Sequence, residues 1–483
     1  MSAPERIDAD VAVVGAGVAG LYAALTASEA GARVAVISAT PLAQTASYWA
    51  QGGLAAALAV DDSPQLHLED TERAGRGLVR RSAAEVLTRE APEMILALQR
   101  HGVVFDADRH GNLALGLEGG HSRRRIVHAG GSATGRRVAR ELSAALVARP
   151  NVLVLEMTRA ADLWTHEGRV AGVLCEDRLA VCARGTIIAA GGAAALWRRT
   201  TNPPGSLGTG ILLAHRAGAA IADLEMVQFH PTAVTGIPHR EGFLVTEAIR
   251  GEGALLLDPH GERFVEELAP RDEVSRAIWE VLQRTGAPSV SLDMRAVDPA
   301  HFPNVVEALR RSGLDPASEL IPVAPAAHYV MGGIVADLHG STGVPGLYAI
   351  GESACTGLHG ANRLASNSLS ECAVFGARAA RAALGEPAPS APGAPPQPQP
   401  IVVPQPGTQE AMWRHAGLVR DRAGLEQLLD DPHPLARLVA LCALAREETR
   451  GAHVRSDFPA ADPALDGHHA VIRDHGPEFE RWD

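Results

Sequence analysis

Five short motifs in this chain carry polar or cationic side chains next to glycine or proline. In Glu225–Pro231 (EMVQFHP), strand-like alternation places Gln228 and His230 on the same face. The other four are TEAIRGEG at 246–253, PRDEV at 270–274, AHYVMGG at 327–333 and HGANRLASNSL at 359–369. Arginine can grip a carboxylate through two parallel hydrogen bonds, so arginines and histidines that converge from these motifs would bind a small dicarboxylic acid. Taken singly, a histidine is more often structural and an arginine more often part of a surface ion pair, so the prediction depends on convergence.

A glycine-rich loop near the start of the chain predicts a dinucleotide site. Residues 10–14 read as a short strand, 15–20 as GAGVAG, 21–30 as a helix and 33–37 as a second strand. In this context Gly15 permits a tight turn, Gly17 lets the backbone approach a pyrophosphate, and Gly20 lets the helix pack on the strand. The free N–H groups at the helix N-terminus then favour the bound diphosphate.

Ser38 follows the second strand, where an NAD-binding domain usually has an acidic residue for the ribose. Either the ribose is held in another way, or the dinucleotide is FAD in a variant family. The next segment, TASYWAQGG at 45–53, is either an ordinary loop or a face for a flat ring.

Strands that end in glycine recur at 181–192 and 346–352, with a hairpin-like run at 170–175. This spacing predicts an α/β fold: a Rossmann-like dinucleotide-binding domain interrupted by an α+β capping domain and followed by a C-terminal helical domain. Helical periodicity covers 410–429 and 434–450, after a proline-rich linker. The predicted boundaries are 1–223 and 328–385 for the dinucleotide-binding domain, 224–327 for the cap, 386–409 for the linker and 410–483 for the helical domain.

The composition excludes several functions. All 44 residues in the Lys+Arg count are arginine, so the chain has no lysine for a pyridoxal phosphate aldimine or a P-loop. A net charge of −12 argues against nucleic-acid binding. The five cysteines are scattered, which favours a reducing, cytoplasmic setting and predicts no metal site. The polar start, 1–10, predicts no signal peptide, and the apolar stretches are too short to cross a membrane.

From about residue 8 to residue 382 the sequence resembles the flavoprotein family of succinate dehydrogenase and fumarate reductase, and within it the L-aspartate oxidases above all. Eight motifs carry the resemblance in order: GAGVAG, SYWAQGG, EGGHSRRR, QFHPTA, TEAIRGEG, APRDEVSRA, AAHYVMGG and HGANRLASNSL. Glu118 in EGGHS, Ala248 in TEA and Ala365 in LAS favour the oxidases over their relatives. Ala46 stands where the dehydrogenases carry a covalently flavinylated histidine, so the expected cofactor is non-covalent FAD.

The resemblance also implies roles for individual residues. Glu118 would face the substrate amino group, and Arg271 would transfer the proton. One carboxylate would lie among Gln228, His230, Thr246 and Glu247, and the other near His328, Arg363 and Ser366. The residues implied for FAD are Gly15, Ala16, Gly17, Gly20, Ser38, Ser47, Gln51, Gly52, Gly53, Glu352, Ser368 and Leu369.

The function implied by the resemblance is oxidation of L-aspartate to iminoaspartate. Reoxidation would use O2, giving H2O2, or fumarate, giving succinate, in the first step of NAD biosynthesis through quinolinate. The resemblance also raises quinolinate synthase as a protein partner. Two alternatives stay open: a soluble fumarate reductase or succinate dehydrogenase, and a flavin-binding docking protein without turnover.

Three departures from the family pattern bear on the cofactor and the tail. Ala39 stands where the family often has lysine, and Thr209 lies between two glycines where it often has aspartate. Both predict weaker retention of FAD. The helical tail is also shorter than expected after Leu429.

Overall fold

A computed structural model of the protein describes residues 5–389 and 393–483. Its central sheet has five parallel strands, in agreement with the predicted Rossmann-like domain. Their order across the sheet is Leu347–Ala349, Gly185–Ile188, Val11–Val14, Val34–Ile37 and Val152–Leu155. The three strands in the middle of this order are fully buried, as expected where helices cover both faces of a parallel sheet.

Helices and two smaller sheets surround this central sheet. The helices are Val18–Glu29, Pro64–Ala74, Arg81–Arg100, Thr134–Val147, Thr209–Arg216 and Asn367–Leu384. One small sheet has the order Glu5–Asp8, Leu179–Cys182, Arg169–Cys175 and Ala160–His166, and the other has the order Leu54–Ala55, Ile126–Val127 and Leu115–Gly116. Residues 1–4 of the polar start lie outside the described part of the chain.

The insertion forms a cap with its own hydrophobic core. Its antiparallel sheet has the order Val227–Val234, Ile321–Val330, Val290–Asp293 and Leu255–Leu257. Its helices are Ala248–Gly251, Arg271–Thr285 and Pro303–Arg310, and we call Arg271–Thr285 the cap helix. This is the predicted α+β arrangement, although the boundary predicted after residue 327 falls inside a strand.

The C-terminal unit, residues 406–483, contains the predicted helices and also strands that the sequence analysis did not predict. The helices are Pro406–His415, Arg422–Gln427 and Pro434–Ala445, so the helix predicted over 410–429 is interrupted and the one predicted over 434–450 ends early. The first of them begins inside the predicted linker, of which residues 390–392 lie outside the described residues.

The extra strands make the C-terminal unit part of a larger sheet. Val454–Arg455 pairs with Val419–Arg420, while His468–Ile472 and Glu478–Arg481 extend a sheet formed by Ile221–Ala222, Gly333–Val335 and Ala354–Cys355. The strand partner, Ile221–Ala222, directly precedes the cap and is far away in the sequence, which is why periodicity within the tail could not reveal the pairing. In the described ranges, no helix has the length and apolar character needed to cross a membrane.

Candidate active site

One cavity of about 870 Å³ lies at the carboxyl edge of the central sheet and continues under the cap. Crevices at this edge are where open α/β sheets bind their ligands. Ten residues implied for FAD line it: Gly15, Ala16, Gly17, Ser38, Ser47, Gln51, Gly52, Glu352, Ser368 and Leu369. Eight residues implied for substrate and proton transfer line the same cavity: Glu118, His230, Thr246, Glu247, Arg271, His328, Arg363 and Ser366.

The glycines of this loop allow close approaches of the backbone that side chains would prevent. A Cβ on Gly15 would lie 2.2 Å from the Ala189 carbonyl oxygen, and the φ of Gly15 is +109°. A Cβ on Gly20 would lie 2.0 Å from the Gly15 carbonyl oxygen, so Gly20 serves the close packing predicted for it rather than the cavity wall. A Cβ on Gly17 would lie 3.1 Å from Ser47 Oγ. This open backbone at the start of helix Val18–Glu29 fits the diphosphate of a dinucleotide.

Glu352 also lines this cavity. Its carboxylate accepts the Val330 N–H at 3.1 Å, and burial raises its pKa to about 7. Gly192 leaves room for it, since a Cβ there would lie 2.2 Å from Glu352 Oε1. A carboxyl that can accept or donate a hydrogen bond near neutral pH suits a ribose or ribityl hydroxyl.

Gln228 lies behind the cavity wall, where it joins the two arginines of the site. Its Oε1 accepts from Arg271 Nη1 at 3.1 Å and from Arg363 Nε and Nη2 at 3.2 and 3.1 Å. Its Nε2 donates to Asn362 Oδ1 at 3.0 Å and to the Arg363 carbonyl at 2.9 Å. The amide of Gln228 is therefore fully occupied by protein groups and holds both guanidinium groups in place.

Glu247 is the counter-ion of Arg271. Its Oε2 lies 2.6 Å from Arg271 Nε, and its Oε1 accepts the Gly119 N–H at 2.8 Å. Burial opposes ionisation of Glu247, but Arg271 and Arg250 outweigh it and lower its pKa to about 2. Glu247 is thus a carboxylate at any working pH, and its first role is to orient Arg271.

Arg250 lies in the motif TEAIRGEG and is a further functional candidate, although it was not among the predicted site residues. It is buried, its Nη2 lies 3.5 Å from Glu247 Oε2, and its Nη1 donates to the Glu267 carbonyl. The signal in the sequence was the spacing of three residues from Glu247, which places both on one side of a helical turn.

His230 and His328 form a pair, with ring centroids 5.1 Å apart in an edge-to-face arrangement. Burial, together with nearby arginines, lowers the pKa of each well below its ordinary value, so both are neutral. The Thr232 N–H donates to His230 Nδ1 at 3.3 Å, which leaves His230 Nε2–H free to donate to a ligand. His328 is oriented by Thr201, whose Oγ1 lies 2.7 Å from His328 Nδ1.

Glu118 and Ser366 lie next to the Gly52–Gly53 segment. Ser366 Oγ donates to Glu118 Oε2 at 2.6 Å and accepts the Gly53 N–H at 3.1 Å. Gly53 is not among the residues that line the cavity, and its backbone N–H holds Ser366 in place. Ser366, at the start of helix Asn367–Leu384, has a φ of +60°, which is uncommon for a residue with a side chain.

Arg363 has two further contacts, one with Ser368, which was predicted to bind FAD, and one with Tyr329, which was not predicted as a site residue. Its guanidinium carbon lies 4.4 Å from the centroid of the Tyr329 ring, and its Nη1 donates to Ser368 Oγ at 2.5 Å. Burial is the main cause that lowers its pKa, to about 10, and it still carries a positive charge near neutral pH. The substrate end of the cavity is thus lined by two fixed cations, two neutral imidazoles and two carboxyl side chains, of which Glu247 is paired with Arg271 and Glu118 accepts from Ser366.

Family models and curated relatives match nearly the whole chain. The model of the FAD binding domain matches residues 10–369, and that of the fumarate reductase flavoprotein C-terminus matches residues 429–481. The L-aspartate oxidase of Caulobacter vibrioides is 45% identical over 95% of this chain and 97% of its own length. The L-aspartate oxidase of Streptomyces coelicolor is 42% identical over 97% of this chain and 92% of its own length.

Among solved structures, the quinol fumarate reductase flavoprotein of E. coli superimposes with a TM-score of 0.88 at 26% identity, covering 99% of this chain and 97% of that one. A quinol-fumarate reductase with menaquinol molecules gives a TM-score of 0.89 at 26% identity, covering 99% of this chain and 98% of that one. The cap, the central domain and the C-terminal unit therefore recur together in these proteins.

Proposed function

This chain belongs to the fumarate reductase flavoprotein family, in which the L-aspartate oxidases are its relatives, and from that premise we propose that it oxidises L-aspartate to iminoaspartate. Its cofactor is FAD. The observation that carries the choice of substrate is the arrangement of Glu118, Arg271 and Arg363 around one cavity. Arg363 offsets the charge of one carboxylate, Arg271 and its partner Glu247 lie beside the reacting amine, and Glu118 offers a negative charge to an ammonium group.

The cofactor fits the residues present. Gly15 lets the chain turn tightly against Ala189, Gly17 places backbone without a side chain at a helix N-terminus, and Glu352 offers a buried carboxyl. FAD, when bound there, supplies the acceptor for the two electrons that leave the substrate. Ala46 offers no nucleophile for a covalent link, so retention of FAD depends on these non-covalent contacts alone.

The protein's own residues bind and orient the substrate. We assign one carboxylate to the Nε2–H of His230 and to Thr246, and the other to His328 and Arg363. A neutral imidazole donates one hydrogen bond without adding charge, which suits a site that already holds two guanidinium groups. These contacts would fix the direction of the substrate Cα–H bond relative to the bound FAD, and the cap would exclude water from the cavity.

Arg271 is the residue we assign to proton transfer. Glu247 and Gln228 hold its guanidinium from two sides, so its direction is fixed before substrate binds. The oxidation removes two electrons and two protons from aspartate, and the proton not carried with the electrons needs an acceptor near the amino group or the adjacent carbon. Because a guanidinium is already protonated near neutral pH, Arg271 would pass its Nε proton to Glu247 Oε2, 2.6 Å away, as it takes the proton from the substrate.

A fumarate reductase is the second candidate, because its structural relatives share the fold and because two arginines suit fumarate equally well. Glu118 argues against it, since a negative charge next to fumarate or succinate is unfavourable, whereas next to an ammonium group it is favourable. We assign the reoxidation of the flavin to O2, giving H2O2, or to fumarate, giving succinate.

Anaerobic mixing of the FAD-loaded protein with L-aspartate tests the proposal. We expect loss of the visible flavin absorbance with L-aspartate and no loss with succinate, followed by recovery when O2 or fumarate is added. Bleaching by succinate alone would identify a fumarate reductase, and bleaching by neither would leave a flavin-binding docking protein. Glu118→Gln is the matched variant, because it keeps the shape of the side chain and should lose the preference for the amino acid.

All five cysteines are free, which supports a reducing compartment such as the cytoplasm. Iminoaspartate hydrolyses readily in water, so we propose quinolinate synthase as the enzyme that consumes it, in the first step of NAD biosynthesis.

A further inference from the structure

The loop Gly75–Gly77, which follows helix Pro64–Ala74, touches the cap helix through one side chain. Arg76 Nε donates to Asp272 Oδ2 at 3.1 Å, and Arg76 Nη2 donates to Asp272 Oδ1 at 3.3 Å. The same Nη2 donates to Glu273 Oε1 at 2.5 Å. Asp272 and Glu273 directly follow Arg271 at the first turn of the cap helix.

This contact differs from an ordinary surface ion pair, which contributes little. The Asp272 side chain is 8% exposed, and Arg76 grips it through two nitrogens, the geometry that fixes direction as well as distance. Arg76 itself has a φ of +55°, so the loop holds it in a backbone conformation that residues with side chains seldom adopt. Arg76 belongs to the central domain, whereas its partners belong to the cap.

The C-terminal unit braces the same loop. Arg450 Nη1 donates to the Arg76 carbonyl at 2.7 Å, and the Gly467 N–H donates to the Gly77 carbonyl at 2.9 Å. Arg450 is in turn held by Glu448, with Nε donating at 2.8 Å. The backbone that presents the Arg76 guanidinium is therefore fixed from the side opposite the cap.

A second path leads from this loop to the active site. Asn362 Nδ2 donates to the carbonyl of Ala74, the residue before the loop, at 3.3 Å, and Asn362 Oδ1 accepts from Gln228. Gln228 is one of the two groups that hold the Arg271 guanidinium. Both the backbone of Arg271 and its guanidinium are thus connected to the same turn of the central domain.

We propose that Arg76 is a positioning residue for Arg271: by holding Asp272 and Glu273, it fixes the first turn of the cap helix, and with it the proton-transferring guanidinium, against the central domain. Arg76 is not among the residues that line the cavity, so its proposed role is carried out through Asp272 and Glu273. The inference rests on the proposed oxidation of L-aspartate and deepens it, because it names what places the reacting group when the cap lies over the site.

The test compares Arg76→Met with Arg81→Met in the FAD-loaded full chain. Arg81 is the matched control, because it also pairs with two carboxylates, those of Glu72 and Glu85, but both belong to the central domain. For Arg76→Met we expect kcat for the oxidation of L-aspartate to fall about tenfold, because a small displacement of a catalytic group lowers the rate strongly. The KM for L-aspartate should change less than kcat, because His230, His328 and Arg363 stay in place. Bound FAD and the Tm should match those of Arg81→Met.

Two further variants separate positioning from general stability. Arg76→Lys keeps the charge but loses the two-nitrogen grip, so it should recover part of the lost rate. Adding Asp272→Asn to Arg76→Met should cause no further loss, because both changes break one contact. Three results would each overturn the inference. They are a wild-type kcat in Arg76→Met, a loss of kcat in Arg81→Met as large as that in Arg76→Met, and a change in Arg76→Met confined to KM. Failure of the wild-type protein to react with L-aspartate would instead overturn the proposed function.

Discussion

Ser366 Oγ lies 2.6 Å from Glu118 Oε2, and it donates its hydroxyl hydrogen to that carboxylate while accepting the backbone N–H of Gly53 at 3.1 Å. The single hydroxyl hydrogen and one of the two acceptor positions of Ser366 Oγ are thus used within the protein. Ser366 lines the cavity and stays a predicted substrate ligand, and its contacts also suit it to orient Glu118.

The first prediction concerns this pair. Ser366→Ala should lower selectivity for L-aspartate over succinate about tenfold, because Glu118 loses a hydrogen bond worth on the order of 1 kcal/mol and is free to turn away from the amino group. The ratio of the inhibition constant of succinate, as a competitor of L-aspartate, to the KM for L-aspartate measures it. The control is Ser370→Ala, which removes a buried hydroxyl of helix Asn367–Leu384 that donates to the carbonyl of Ala55, in strand Leu54–Ala55, at 2.8 Å. Unchanged selectivity in Ser366→Ala would contradict the role given to the pair.

The second prediction concerns Arg271. Arg271→Leu should slow flavin reduction by L-aspartate by about 10²–10⁴-fold, the usual contribution of a positioned acid or base. FAD should remain bound, because Arg271 is not among the residues implied for FAD and its hydrogen bonds go to Glu247 and Gln228. Arg276→Leu changes an exposed arginine of the same helix and should react like the wild type. Turnover of Arg271→Leu at the wild-type rate would remove Arg271 from the reaction.

The third prediction concerns retention of FAD. Ala39 is exposed at the end of strand Val34–Ile37 and lines the cavity, so Ala39→Lys adds a cation without displacing packed atoms. An exposed charge near a phosphate is worth roughly 1 kcal/mol, and we expect FAD to bind about fivefold more tightly. The Kd from flavin fluorescence after dialysis measures it, with Ala39→Gln as the uncharged control. Equal Kd values for the lysine and glutamine variants would show that Ala39 is not the reason for weak retention.

The fourth prediction concerns stability in acid. Burial is the main cause that lowers the pKa of His230, His328 and His453 well below the ordinary value of 6.5. In the unfolded chain each histidine takes up a proton below pH 6.5, whereas in the folded chain it stays neutral. The stability that depends on their neutral state is therefore complete above pH 6.5 and is lost as the pH falls, by about 1.4 kcal/mol per pH unit for each group.

His453 allows a test away from the cavity. His453→Gln should flatten the fall of Tm between pH 6.5 and 5, while the exposed His260→Gln should leave the slope as in the wild type. Because the comparison uses slopes, a constant loss of stability in the His453 variant does not affect it. A slope as steep as in the wild type would assign the acid sensitivity to other groups.

The sequence was sufficient where a few neighbouring residues set the structure. The run of small and β-branched residues before GAGVAG, and the glycines themselves, are local requirements, so the strand, the turn and the helix were predicted from about thirty residues. The motifs around His230, Thr246, Arg271, His328 and Arg363 were also recognised one by one, and the structure brings all five to one cavity.

The sequence could not assign the role of Gln228. Alternation placed it beside His230, but whether it faces a ligand or the protein depends on Arg271 and Arg363, which come from two other segments. Likewise the strand His468–Ile472 pairs with Ile221–Ala222, a partner that no pattern within the tail indicates.

The amino-acid sequence by itself thus determined the family, the dinucleotide loop and the residue types that line the site, because these depend on local backbone geometry and on side-chain chemistry. Only the tertiary structure decided which of these groups meet substrate and which hold their neighbours. Arg76 and Asp272 are 196 residues apart, and nothing near either one in the sequence favours the contact. It exists because the cap, the central domain and the C-terminal unit pack together, and burial in that packing makes a few hydrogen bonds strong enough to orient a catalytic group.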